Sequence, residues 1–217
     1  MSSSWRGPSL MSCFAVAISQ VASPGGRLMT TAPAKDSATL SDASSLPSRL
    51  HHTAYVTKDQ AATRAFYEGI IGLPLIATWT EVDELFGAER TYAHTFYGLG
   101  DGGALAFFQF VEPEDQALFG PEIPKSPFIH IALKVTAEVQ QAIQDRLTEA
   151  GWRPDETYVL EHGYCRSLYT SDPNGMLLEF TVDAENVAQI SATRRETAPE
   201  DLDRWLSGDH SSNNFYR

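Results

Sequence analysis

The chain has 217 residues, 42% of them apolar, which is enough to bury a core in one domain or in a pair of tightly packed modules and excludes disorder throughout. Its 16 basic and 28 acidic side chains give a formal charge of -12 with no local basic patch, so a nucleic-acid backbone is excluded as partner. No run approaches the roughly eighteen apolar residues of a membrane span, and the two cysteines, Cys13 and Cys165, offer no disulfide framework, which fits a reducing, cytoplasmic setting.

The first 48 residues differ in kind from the rest. They are rich in Ser, Ala and Pro, have no acidic residue before Asp36, and carry only Arg6, Arg27 and Lys35 as basic groups. So little apolar material cannot build a core. The segment reads as a disordered leader or as a start placed too far upstream, with Met29 as the true beginning. The apolar stretch 10–21 behind Arg6, with small residues near Ser23, also has the outline of a secretory signal; the first two readings are preferred.

Residues 49–183 form the folded region, in two halves of about 49–112 and 127–183 joined by a linker at 113–126. A strand is predicted over residues 50–56. Asp59 then stands as N-cap to a helix with Ala62, Ala65, Phe66 and Ile70 at helical spacing, closed by Gly72. Three strands follow at 73–80, 91–98 and 104–110, the last two separated by the turn-rich Gly100-Asp101-Gly102-Gly103. The acidic stretch Glu81, Asp83, Glu84 reads as a solvated loop within 81–90. After the proline-bearing linker the order βαβββ returns. Residues 128–135 make a strand with Ile129, Ile131, Leu133 and Val135 on one face, and Val139, Ile143, Leu147 and Ala150 mark a helix that Gly151 closes. Strands at 152–159, 164–170 and 176–182 complete the repeat. The remainder, 184–217, is a polar tail with a short helix at 199–206, where Pro199 suits a first helical turn. The predicted class is α+β: two βαβββ modules forming a curved, barrel-like mixed sheet around a central cavity, with the helices outside.

His52 and His130 both stand on the first strand of their half, each followed two residues later by an alanine, Ala54 and Ala132. Alternation puts each His and its Ala on one face, so the alanine leaves room in front of the imidazole. In the last strand Met176, Leu178, Phe180 and Val182 share an apolar face, so Glu179 points the other way. A carboxylate enclosed there needs a partner, and two histidines with one carboxylate make a metal site with open positions, the facial triad. His51 faces away from His52 and is read as an ordinary surface or core imidazole. His94, with Tyr92 and Phe96 on its face, is a packed side chain or part of the pocket lining.

The segments His52-Thr53-Ala54 through Asp59 and Phe66-Tyr67, Ile71-Gly72-Leu73, Phe128-Ile129-His130-Ile131-Ala132-Leu133, and Asp172-Pro173-Asn174-Gly175 ahead of Leu178-Glu179-Phe180 resemble the vicinal oxygen chelate superfamily. The resemblance covers about residues 49–183. It implies paired βαβββ modules around one divalent metal, as in glyoxalase I, fosfomycin-resistance proteins, methylmalonyl-CoA epimerase and the type I extradiol ring-cleaving dioxygenases. The spacing from His162 through Leu168-Tyr169 and Asp172-Pro173-Asn174-Gly175 to Glu179 is similar to the extradiol signature, which implies catalytic roles for His162 and Tyr169. Leu160 departs from it, standing where a glycine or another small or β-branched residue is expected. A glyoxalase I would bring a second carboxylate from the first half, where this chain reads Phe107-Phe108-Gln109-Phe110.

The leading expectation is therefore an Fe(II)-dependent extradiol dioxygenase acting in aromatic-compound catabolism. Its substrates would be a small catechol-type aromatic diol and dioxygen; His52, His130 and Glu179 would hold the metal, with His162 as acid-base group and Tyr169 as hydrogen-bonding group. The alternatives are a non-redox isomerase, epimerase, lyase or thiol transferase of the glyoxalase type using Mn, Ni, Zn or Mg, and a binding protein that sequesters a small aromatic compound. A homodimer or higher homo-oligomer is expected.

Overall fold

The computed structural model describes residues 46–152 and 157–216. Pro47–Arg217 form one compact unit. In chain order the elements are β1 (His52–Val56), α1 (Gln60–Arg64) running directly into a π-helical segment (Ala65–Ile71), β2 (Leu75–Leu85), β3 (Ala88–Gly98), β4 (Ala104–Phe110), α2 (Pro113–Phe119), β5 (His130–Lys134), α3 (Ala137–Glu149), β6 (Thr157–Glu161), β7 (Cys165–Ser171), β8 (Leu177–Asp183) and α4 (Val187–Leu206). The α+β class and the doubled βαβββ order are as expected. Among the described residues no helix is long and apolar enough to cross a membrane.

Local chemistry accounts for the first helix. The Asp59 carboxylate accepts from the backbone N–H of Ala61 at 2.7 Å and of Ala62 at 3.0 Å, satisfying two donors that the helix leaves free. At the other end Gly72, at φ 89, turns the chain left-handed, and its N–H bonds the Tyr67 carbonyl at 2.9 Å.

The strands make two four-stranded sheets with matching orders, β1-β4-β3-β2 and β5-β8-β7-β6. In each, the first strand runs parallel to the last strand of its module and the other pairings are antiparallel. The expected single barrel-like sheet is thus corrected to two open ones. Among the described residues β1 and β5 are edge strands, each bonded on one side only, and no ladder joins the two sheets.

One continuous core lies between the sheets and the helices. Tyr97, Leu105 and Phe107 from the first sheet and Leu168, Leu178 and Phe180 from the second close on Phe66, Tyr67, Ile71, Ile143 and Leu147. At about 25 cal/mol per Å² of apolar surface removed from water, such a cluster is the main term holding the modules together. Polar ties reinforce it: the Arg146 guanidinium donates to the carbonyls of Ile70 and Ile71, capping the end of the π segment from the other module. Alternation then leaves His52 and His130 on the sheet faces opposite the core.

Several boundaries differ from expectation. β2 and β3 extend into the predicted acidic loop, because Tyr92 Oη hydrogen-bonds both Glu81 (3.1 Å) and Asp83 (2.5 Å), giving those carboxylates a partner on the sheet face. The hairpin closes at Phe86 and Gly87, both at positive φ (52 and 80), the arrangement of a tight two-residue turn. The linker holds α2, signalled by Pro113 at its first turn and by Glu114 and Asp115 beside the positive helix terminus. α4 spans Val187–Leu206 with Pro199 in its interior, so the proline does not open the helix as predicted. The predicted strand 152–159 begins at Thr157, with 153–156 outside the described residues, as are residues 1–45 of the predicted leader.

Candidate metal centre

The second sheet assembles four of the predicted site residues on one face. Register pairs Ala132 with Glu179, Glu179 with Tyr169, and Tyr169 with Tyr158, making a row across β5, β8, β7 and β6. His130, two residues before Ala132, reaches over the alanine, and its Nε2 lies 2.9 Å from Glu179 Oε2. His130 Nδ1 lies 3.2 Å from the Pro127 carbonyl, so it donates its hydrogen there, fixing the ring and turning Nε2 toward the carboxylate. That outer hydrogen bond is the arrangement that orients a metal-ligating imidazole.

Glu179 is 7% exposed. Burial by itself would raise its carboxyl, but the hydroxyls of Ser167, Tyr169 and Thr181 and the nearby His130 outweigh burial and hold it below the usual carboxylate range. It is therefore a preformed anion. Tyr169 responds in the opposite sense: burial, then the Glu179 carboxylate beside it, push the phenol well above its ordinary value, so it stays protonated as a donor.

His162 stands in the turn before β7, where its N–H bonds the Cys165 carbonyl at 2.9 Å. Its Nε2 lies 3.0 Å from Tyr169 Oη. Tyr158 stacks on the Tyr169 ring at 5.0 Å and an interplanar angle of 14°, and His130 meets that ring edge-on at 6.0 Å. His162, Tyr169, Glu179 and His130 form one connected string. From outside, Gly163 (φ +81) is covered by the Tyr216 backbone, and any Cβ there would overlap the Tyr216 carbonyl. The C-terminal segment thus backs the turn that carries His162, a contact no sequence motif announces.

His52 is placed elsewhere. It lies on the first sheet, where its Nδ1 is 2.8 Å from His51 Nδ1 and its ring is 5.6 Å from Phe96. Among the described residues, no group of three or more His, Cys, Asp and Glu side chains stands close enough to hold a metal within the chain. The structure brings His130 and Glu179 together and leaves His52 apart from them. His51 does not face away from His52 as expected: it precedes β1, so strand alternation does not govern it, and the two imidazoles meet.

The two sheets can be overlaid by register alone. His52 pairs with Ala104 and Ala54 with Ala106, as His130 pairs with Leu177 and Ala132 with Glu179. Ala106, not Gln109, is therefore the counterpart of Glu179, and Phe96 the counterpart of Tyr169. Gln109 is a scaffold residue: its carbonyl accepts from Gln60 N–H at 2.9 Å and its amide donates to the Lys58 carbonyl at 3.3 Å, bracing the turn into α1. The first module offers no fourth carboxylate at the matching position. The Asp172-Pro173-Asn174-Gly175 turn is also structural. Asp172 accepts from the N–H groups of Asn174 and Met176, both at 2.8 Å, and from Tyr67 Oη at 3.0 Å, while Asn174 accepts from Thr57 Oγ1 at 2.9 Å.

Residues 49–180 match the sequence profile of the glyoxalase/bleomycin resistance protein/dioxygenase superfamily, and the chain belongs to it. No curated protein matches it. Solved structures similar to this chain include the fosfomycin resistance protein FosX of Listeria monocytogenes, crystallised with Mn(II) and sulfate. It is 19% identical at a TM-score of 0.45, over 66% of this chain and 99% of that one. A glyoxylase/bleomycin resistance protein/dioxygenase domain from Frankia sp. EAN1pec is 17% identical at a TM-score of 0.48, over 65% and 95%. The oxidase ChaP-H2 is 22% identical at a TM-score of 0.40, over 63% and 94%.

Proposed function

We propose that this protein is a metal-dependent enzyme, and that its reaction is extradiol cleavage of a catechol-type aromatic by dioxygen, with Fe(II) as the metal. The observation that carries the reading is the string His130–Glu179–Tyr169–His162 on one sheet face, which sets two metal-type donors beside a protonated phenol and an imidazole. The donor set fits a divalent first-row ion: one imidazole turned by an outer hydrogen bond and one carboxylate held anionic.

The third ligand is His52 from a second copy of the chain. β1 and β5 each present an unbonded edge, and just before β5 the side chains of Phe128 and Ile129 are 89% and 53% exposed. Laying β1 of one copy along β5 of another satisfies both edges, covers those apolar side chains, and brings His52 to the His130–Glu179 pair.

When bound, the metal supplies Lewis acidity toward the two vicinal oxygens of the substrate and, as iron, electron exchange with dioxygen. The chain's own groups do the rest. Tyr169 turns its one hydroxyl hydrogen from Glu179 to a substrate oxygen, and His162, in contact with Tyr169, takes a hydroxyl proton and returns it as the ring opens. With Ala106 where a fourth carboxylate would stand, His130, Glu179 and a partner's His52 would be the protein groups holding the ion, and the diol and dioxygen would meet no further protein ligand there.

The test is direct. Protein loaded anaerobically with Fe(II) and then given a panel of catechols and air is expected to consume oxygen and form yellow ring-opened products. Stoichiometric iron without oxygen uptake across the panel would overturn the dioxygenase reading and favour a non-redox reaction of the glyoxalase type.

A further inference from the structure

The open face of the first sheet carries a polar arrangement that the metal centre does not use. Trp79, His94, Phe108 and Val56 stand in one row across β2, β3, β4 and β1. The His94 ring stacks on Phe108 at 3.8 Å and lies 4.3 Å from Phe96, and its side chain is only 14% exposed. Glu81 Oε1 is 3.8 Å from His94 Nδ1. Glu81 is itself hydrogen-bonded to Tyr92, which also contacts Asp83. A carboxylate on that side draws the single proton of a neutral imidazole to Nδ1, leaving the lone pair on Nε2.

Among the described residues that Nε2 is cut off from solvent and has no hydrogen-bond partner. Buried polar atoms are nearly always paired, so an acceptor held open among aromatic rings calls for a reason. Burial, more than the opposing pull of Glu81, keeps His94 below the ordinary histidine range, which agrees with a neutral ring offering an acceptor. At the outer edge of the row Trp79 is 50% exposed and meets Phe96 edge-to-face at 5.0 Å.

We propose that His94 Nε2 is a specificity-determining acceptor for the hydroxyl of a phenolic substrate, whose ring lies against Phe96 and Trp79 on the open face of the first module. The assignment rests on reading the protein as an enzyme for an aromatic diol, and adds the side chain that recognises a hydroxyl from the first module. Methyl ethers of the same ring are rejected because they have no hydrogen to give to Nε2, which stays buried and unpaired.

The experiment uses the full-length protein treated with chelator, so that no metal contributes to binding. Equilibrium dialysis against 1-naphthol and 1-methoxynaphthalene is expected to show about tenfold tighter binding of the naphthol, the worth of one hydrogen bond to an otherwise unpaired acceptor. His94→Phe, which keeps the ring and removes the nitrogen, is expected to erase the preference while leaving the ether's affinity unchanged; a thermal melt checks its fold. Glu81→Gln, which preserves the packing and weakens the hold on the Nδ1 proton, is expected to reduce the preference. Equal binding of both compounds, binding of neither, or a preference that survives in both variants would overturn the assignment. Metal content of a Glu179→Ala variant tests the metal reading separately, so failure of one is distinguishable from failure of the other.

Discussion

Glu179 gathers three hydroxyls and an imidazole around one buried carboxylate, and the hydroxyls do more than compensate for burial: they aim it. Ser167 is fully buried, and its hydroxyl meets Glu179, Tyr169, Thr181 and Cys165. Ser167→Ala is therefore expected to weaken metal binding by about tenfold to a hundredfold, as outer-sphere deletions do, with little loss of stability; competition titration against a fluorescent chelator measures it, and unchanged affinity would contradict this role. Tyr169→Phe should separate binding from chemistry, keeping the metal and losing turnover. His130 and Glu179 were legible in the sequence because strand alternation assigns faces without knowledge of partners, and Tyr169 and His162 only through a spacing similar to the extradiol signature. The counterpart of Glu179 was not, since Ala106 and Gln109 are told apart only by cross-strand register. Nor was the partnership of His51 with His52, which depends on where β1 begins.

At the scale of elements, the turn before β8 is the clasp between modules. Asp172 is buried and meets the backbone of Asn174 and Met176 as well as Tyr67 on the π segment of the other half. Replacing it by alanine strands those donors, and Asp172→Ala is expected to cost about 2–4 kcal/mol of unfolding free energy in urea; a loss below about 0.5 kcal/mol would contradict the clasp. The elements most readily read from sequence were those with clean periodicity and caps, such as α1 behind Asp59 and α3 between Thr136 and Gly151. Those hidden had a tertiary cause. Glu81 and Asp83 read as loop until Tyr92, opposite Glu81 and diagonal to Asp83 on β3, supplies a hydrogen bond, and α4 runs through Pro199, where a proline normally marks a first turn.

The whole molecule sets the hardest problem, because the two modules share one core yet present their histidines on separate open sheets. Periodicity can place His52 and His130 on equivalent strands but cannot say whether one chain or two complete the site. Two copies related by a two-fold axis would form two identical sites, each taking His52 from one copy and His130 with Glu179 from the other. Dilution below the dimer dissociation constant should then release metal, a loss detectable by gel filtration with metal analysis of each peak. The most direct measurement is complementation. His52→Ala and Glu179→Ala proteins, each metal-depleted alone, are mixed under conditions that exchange subunits and assayed for bound metal. Only the mixed dimer rebuilds an intact site, one of its two, so random exchange predicts recovery of about a quarter of the wild-type metal content; a mixture that binds no more than its separate components would contradict a site shared between copies.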